Sequence, residues 1–178
     1  MALLTAARNT PSLGPTKNVI PQPVEAATLL YVGGAVALDA NGYVVPAQVF
    51  GSSPLNALRV FGVCSGTLYA TPGSNPFNVS SALIPGTALP AGAAGAIFAE
   101  IVTGVFLFDI NGSSITQANV GAPCYFTDDH TVDSSSDTGA RPPAGIIMGF
   151  EPQPYGLSTS TSPQGVWVDM TKALDIDD

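Results

Sequence analysis

Positive charge is nearly missing from this chain. Only five basic residues occur, Arg8, Lys17, Arg59, Arg141 and Lys172, spread singly against thirteen acidic ones, for a net charge of −8. No basic patch is available to neutralise phosphates, which argues against nucleic-acid binding and against attachment to an anionic membrane. Charge of either sign is sparse, at 10% of residues, so the Glu, Lys and Arg that cover helical surfaces are lacking. Long hydrophobic runs are also lacking. The most apolar stretch, "AIFAEIVTGVFLF" at 96–108, is too short for a membrane helix and carries Glu100 in its middle. "MALLTAARNTPS" has no charged region followed by a long apolar one, so no signal peptide is expected, and the chain reads as soluble and made in a cytoplasm. Two cysteines, Cys64 and Cys124, lie far apart and are expected to be free, buried small hydrophobes.

What is abundant is turn chemistry. Nineteen glycines and sixteen prolines punctuate a chain that is 46% apolar. This is the composition of strands and turns, and 178 residues suffice for one domain with a real core. The residues divide into an extended N-terminal arm, 1–23, without periodicity, and a single β domain, 24–178. Two Pro/Gly/Ser-rich excursions, 71–95 and 152–164, interrupt that domain.

Within the domain, "LLYVGGAVALDANGYVVPAQV" reads as strand, turn, strand, with a type I′ turn at Asn41-Gly42 and a bulge or bend at Gly33-Gly34. "LRVFGVC", 58–64, gives a further strand that bends near Ser65-Gly66. "AIFAEIVTGVFLFDI" is apolar at both parities, so it predicts a central strand buried on two faces. In "SITQANVGAP", Thr116 is placed to accept an N–H at the start of one helical turn, and Gly121 to close it. "PCYFTDDHTVD" reads as a hairpin, "RPPAGIIMGFE" and "GVWVDMT" as two more strands, and "ALDIDD" as an exposed acidic tail. The fold class is therefore all-β, a small barrel or sandwich.

Chemistry in this chain must pass through its one histidine. Asp128, Asp129, His130 and Asp133 fall within six positions, with Cys124 just upstream. The spacing lacks the alternating ligands, central Gly and final Glu of a calcium loop, and structural zinc would need more Cys or His. The turn reading is therefore preferred to a metal site or a catalytic centre, with the two aspartates expected to point outward in different directions. "GVCSG", 62–66, resembles a nucleophile elbow around Cys64, but "TLYATPGSNP" cannot supply the helix that must leave it. A Cys64/His130 hydrolase is thus disfavoured, no phosphate-cradling loop is present, and the chain is read as a non-enzyme without cofactor or metal. Asn78 and Asn111 begin glycosylation-type tripeptides, which carry little weight alone. Trp167 is read as a core or subunit-contact aromatic.

Four stretches occur in a telling order: "MALLTAARNTPS", "GGAVALDANGYVVPA", "ITQANVGAPCYFTDDHTV" and "AGIIMGF...GVWVDM". Together they resemble the tailed-bacteriophage capsid cement, or head decoration, proteins, over most of Met1 to Met170. The excursions at 71–95 and 152–164 depart from that pattern. The resemblance implies a β-barrel or β-tulip-like protein on the exterior of an expanded capsid. It would sit there as a homotrimer, clamping neighbouring subunits of the major capsid protein. The arm would then bind the capsid by strand addition or groove filling, with Leu3, Leu4, Val19 and Ile20 as apolar anchors and Arg8 pairing with a carboxylate. The alternative is a receptor- or glycan-binding β-module of a virion surface, using the two excursions.

Overall fold

The computed structural model describes Leu3, Thr10 and residues 12–26, 28–48, 58–70, 94–95, 97–112, 114–151 and 165–175. Residues 71–93 of the first excursion, the whole of the second, Leu4 and Arg8 lie outside the described residues. Nine strands are formed: β1 (Ser12–Pro23), β2 (Ala35–Leu38), β3 (Val44–Pro46), β4 (Arg59–Ala70), β5 (Ile97–Ile110), β6 (Pro123–Phe126), β7 (Thr131–Asp133), β8 (Pro143–Phe150) and β9 (Val166–Asp169). Two short 3-10 segments, Gln117–Asn119 and Met170–Asp175, are also present, and among the described residues no helix is long and apolar enough to cross a membrane.

The all-β expectation holds, and β5 organises the molecule. Its second half closes a five-stranded barrel, running β5–β7–β6–β8–β9 and back to β5. Only β5–β7 in this circuit is parallel. The first half of β5 is paired on both edges: Val102 lies opposite Val19 of β1 on one side and Val63 of β4 on the other. From β4 the sheet continues to β2 and β3. Just past β1, Val24 then bridges Val44 of β3. The chain β1–β5–β4–β2–β3 thus curls back on itself.

Two cores result, one on each face of β5. Ala99 and Ile101 join Val24, Val36, Val44 and Cys64 in the smaller one. Val102, Phe106 and Phe108 join Phe126, Ile147 and Val168 in the larger one. The alternation of side chains along a strand makes this possible, and it is why β5 reads as apolar at both parities. Phe108 meets Phe126 edge to face, with ring centroids 5.0 Å apart and planes at 84°, the arrangement their quadrupoles favour. Where β8 crosses β9, Gly145 lies against the Asp169 carbonyl so closely that any Cβ would collide with it.

Several local expectations need correction. Residues 12–23, which the sequence places in an extended arm rather than a folded element, form β1 along β5. Pro15, Pro21 and Pro23 conceal the strand from propensity. Val24 donates its N–H to Ile97 (2.8 Å), so alternate positions 18, 20 and 22 also face β5. Pro21 and Pro23 then lie on the outer edge, where a missing N–H costs no ladder bond. The first strand starts at Ala35 rather than before the glycines, because Gly34 donates to the Tyr31 carbonyl (3.1 Å) in a turn.

At Asn41-Gly42 the hairpin is as expected but the turn type is not. Gly42 alone takes a positive φ, +83°, and donates to the Asp39 carbonyl (3.0 Å). The Asp39 carboxylate accepts the N–H groups of Asn41 (2.9 Å) and Tyr43 (2.8 Å). That side chain supplies the acceptors a type I′ turn would have dispensed with. Thr116 is the N-cap of the Gln117–Asn119 turn, as the sequence predicts, and its N–H and its hydroxyl both donate to the Asn119 side-chain oxygen (2.8 and 2.9 Å). At the C-terminal end, Ala173 is buried in the larger core rather than exposed.

Candidate functional site

Two places bear on function: the outer edge of β1 and the turn between β6 and β7. On β1, Val19 is 50% exposed, and Pro21 beside it is exposed as well. Ile20 pairs with Ile101, whose side chain belongs to the small core, and is half-buried. Leu3 is half-buried. Of the three expected capsid-contact residues that are described, Leu3, Val19 and Ile20, Val19 is the one presented to solvent as a large apolar group. Among the described residues β1 pairs only with β5, so its far edge is an outer rim of the sheet.

The β6–β7 turn is built by short bonds at its base. Thr127 donates its N–H to the Thr131 carbonyl (2.9 Å), and its hydroxyl reaches the same atom (3.1 Å). The His130 N–H donates to the Asp128 carboxylate (3.1 Å). This is the hairpin turn the sequence predicts. Its side chains do not point outward, however. Asp128 and Asp129 are both buried, and their carboxylate oxygens each lie 3.0 Å from the same His130 nitrogen, Nδ1. Carboxylate oxygens only accept, so Nδ1 must carry a hydrogen between them.

The burial follows from tertiary bonds. Ala35 at the start of β2 donates to the Asp129 carbonyl (2.7 Å), and Asp109 near the end of β5 donates to the His130 carbonyl (3.0 Å). The turn is pinned between the two halves of the molecule. Nothing in the local sequence announces this, although the absence of any Lys or Arg beside two aspartates singles out His130 as their partner.

Asp133 stands apart from that group. It accepts from the Asn111 amide (2.6 Å) and the Ser135 N–H (3.0 Å), and it pairs with the Arg141 guanidinium (3.0 Å). Burial alone would raise its pKa, but these bonds and the Arg141 charge outweigh burial and hold it below the usual value. The same bonds engage the amide of Asn111, the first residue of one glycosylation-type tripeptide; Asn78 lies outside the described residues.

Chemically, the turn offers two carboxylates and one imidazole whose ligand atoms lie within 4.8 Å of one another. A cation bound among them would have to displace the hydrogen on Nδ1. Neither cysteine completes a nucleophilic arrangement. Cys64 lies within strand β4 rather than at an elbow, buried in the small core. Cys124 is buried in the large core, where desolvation pushes its thiol pKa far up, and it donates to the Gly145 carbonyl (3.6 Å). Such a thiol is inert. Trp167 is half-buried on β9 opposite Leu107. No family model, curated protein or solved structure matches this chain.

Proposed function

We propose that this chain is a virion structural protein. In this reading it binds the outer surface of an expanded phage capsid as a trimer and clamps neighbouring major capsid subunits. The observation that supports the reading most directly is the exposed rim of β1, with Val19 half in solvent at the edge of a rigid sheet. A cement needs area shared with several neighbours, and lattice repetition multiplies weak contacts into firm attachment. Pro21 and Pro23 lack the N–H groups a further strand would need. Docking along β1 is therefore through side chains, with residues 2–11 supplying any strand-like contact. The burial of both cysteines and the engagement of His130 by two carboxylates fit a protein that works by surface rather than by catalysis.

Co-sedimentation with matched capsids tests this. Saturable binding to expanded shells alone, at a fixed ratio to the major capsid protein, is the expected result. Val19→Asp should weaken binding by at least about tenfold, or about 1.4 kcal/mol, because it places a charge in the contact. Absence of binding to either form of shell would overturn the reading. Undiminished binding by Val19→Asp would move the contact off β1.

A further inference from the structure

The chain contains two Asn-Gly pairs in described segments, and the fold treats them oppositely. Asparagine followed by glycine is the sequence most open to a spontaneous rearrangement, because no side chain hinders the glycine nitrogen. That nitrogen attacks the asparagine Cγ; the N–Cγ bond forms, the Cγ–Nδ2 bond breaks, and ammonia leaves. Water then opens the cyclic imide at either carbonyl, giving aspartate or isoaspartate. No electrons are transferred, and water is the only co-reactant.

We propose that Asn41 is a site of this self-modification and that Asn111 is protected from it by the fold. Asn41 and Gly42 are both exposed at the tip of the β2–β3 hairpin. Space around both glycines is open, with no atom within 4 Å of where a Cβ would stand at Gly42 or Gly112, so the asparagine side chains make the difference. Among the described residues the Asn41 side chain is held by a 3.5 Å contact to the Asp39 carboxylate, at the limit of a hydrogen bond. That carboxylate faces the nitrogen that departs. The main chain is held by the Gly42 N–H bond to the Asp39 carbonyl and by the Asn41 and Tyr43 N–H bonds to the Asp39 carboxylate, in an exposed turn capping a strand of only three residues, the kind of place where local opening is easiest.

Asn111-Gly112 follows β5 and is the same dipeptide under different restraint. The Asn111 amide donates to the Asp133 carboxylate at 2.6 Å, and the Arg141 guanidinium pairs with that same oxygen, Oδ2, at 3.0 Å. A charge-assisted bond of this length must break before the Asn111 side chain can rotate its Cγ toward the attacking Gly112 nitrogen. The product at Asn41 matters for the hairpin. It adds one negative charge beside Asp39. In the isoaspartyl form it also inserts a methylene into the main chain, displacing the N–H groups that the Asp39 carboxylate collects. Isoaspartate is in turn the substrate of carboxyl methyltransferases that use S-adenosylmethionine, so the hairpin tip becomes a target for that enzyme class.

The experiment ages the full-length protein at mildly alkaline pH and 37 °C, folded and in urea, and localises the one-dalton mass gain by fragmentation mass spectrometry. An isoaspartyl methyltransferase with labelled S-adenosylmethionine counts the isoaspartate. In the folded protein, Asn41 should convert at least about tenfold faster than Asn111, a difference of about 1.4 kcal/mol in barrier. In urea the two rates should converge. Equal rates in the folded protein would overturn the proposal, as would an Asn41 that converts in urea and stays intact when folded. Asn41→Gln should remove most of the methyl acceptor formed on ageing; an undiminished signal would place the site elsewhere. These outcomes are independent of capsid binding.

Discussion

At the scale of single residues, His130 carries the sharpest expectation. Two buried carboxylates converge on its Nδ1, so removing the imidazole takes away the hydrogen they share, although the main-chain N–H of residue 130 still serves Asp128. Breaking a buried charged contact from one side is costly, and partial exposure of the imidazole moderates that cost. His130→Ala should lose about 2 kcal/mol, lowering Tm by about 4–8 °C for a chain of this size. Thermal melts check it; an unchanged Tm would mean the two carboxylates reorganise freely. Asp133 gives a pH dependence with a definite sign. Its folded pKa is depressed, net of burial, by Asn111, Ser135 and Arg141. Its contribution is therefore present above the unfolded carboxyl value of about 3.9 and lost as pH falls through the lower folded value. Urea titrations below about pH 4 should show Asp133→Asn losing less stability with acidification than the parent protein. An equal loss would assign the acid sensitivity to other carboxylates.

At the scale of elements, β1 and β5 decide most. Residues 12–23 belong to the sheet, so a deletion that tests the arm should stop before Ser12. Removal of residues 2–11 should leave the barrel folded, whereas removal of residues 2–23 should unmask the edge of β5 and lower solubility. Circular dichroism and sedimentation separate the two, and a soluble, folded 24–178 fragment would show β1 to be dispensable. β5 links the cores through its alternating faces. Phe108→Ala, in the larger core, should cost about 3–5 kcal/mol by leaving a cavity beside Phe126.

At the scale of the whole molecule, the two cores are not independent domains, because β5 and its neighbour β4 contribute to both. Ile101→Ala removes side-chain volume only from the smaller core and should cost about 2–5 kcal/mol. The loss should appear in full in the fluorescence of Trp167, which reports on β9 in the barrel. Coincident transitions by fluorescence and circular dichroism are expected. A Trp167 transition that stays put while the circular dichroism midpoint falls would show that the halves unfold separately.

Composition alone was enough to establish an all-β protein, because a chain poor in Glu, Lys and Arg and rich in Gly and Pro cannot cover helices. The two apolar parities of β5 were enough to mark it as the central strand, since periodicity is a local property that burial on two faces imposes directly. The hairpins at Asn41-Gly42 and at Thr127–His130 were legible for the same reason: turns are written in short-range chemistry. The tertiary structure decided what short range cannot carry. It made a strand of residues 12–23, because an edge strand tolerates proline wherever its N–H would face away from the sheet, and only the partner strand fixes which way that is. It turned Asp128 and Asp129 inward, because the bonds that pin their turn come from Ala35 and Asp109, distant in sequence. It separated Asp133 from them and gave it to Asn111 and Arg141. Local pattern specifies elements; the long-range bonds between elements determine which polar side chains are buried and which partners they meet.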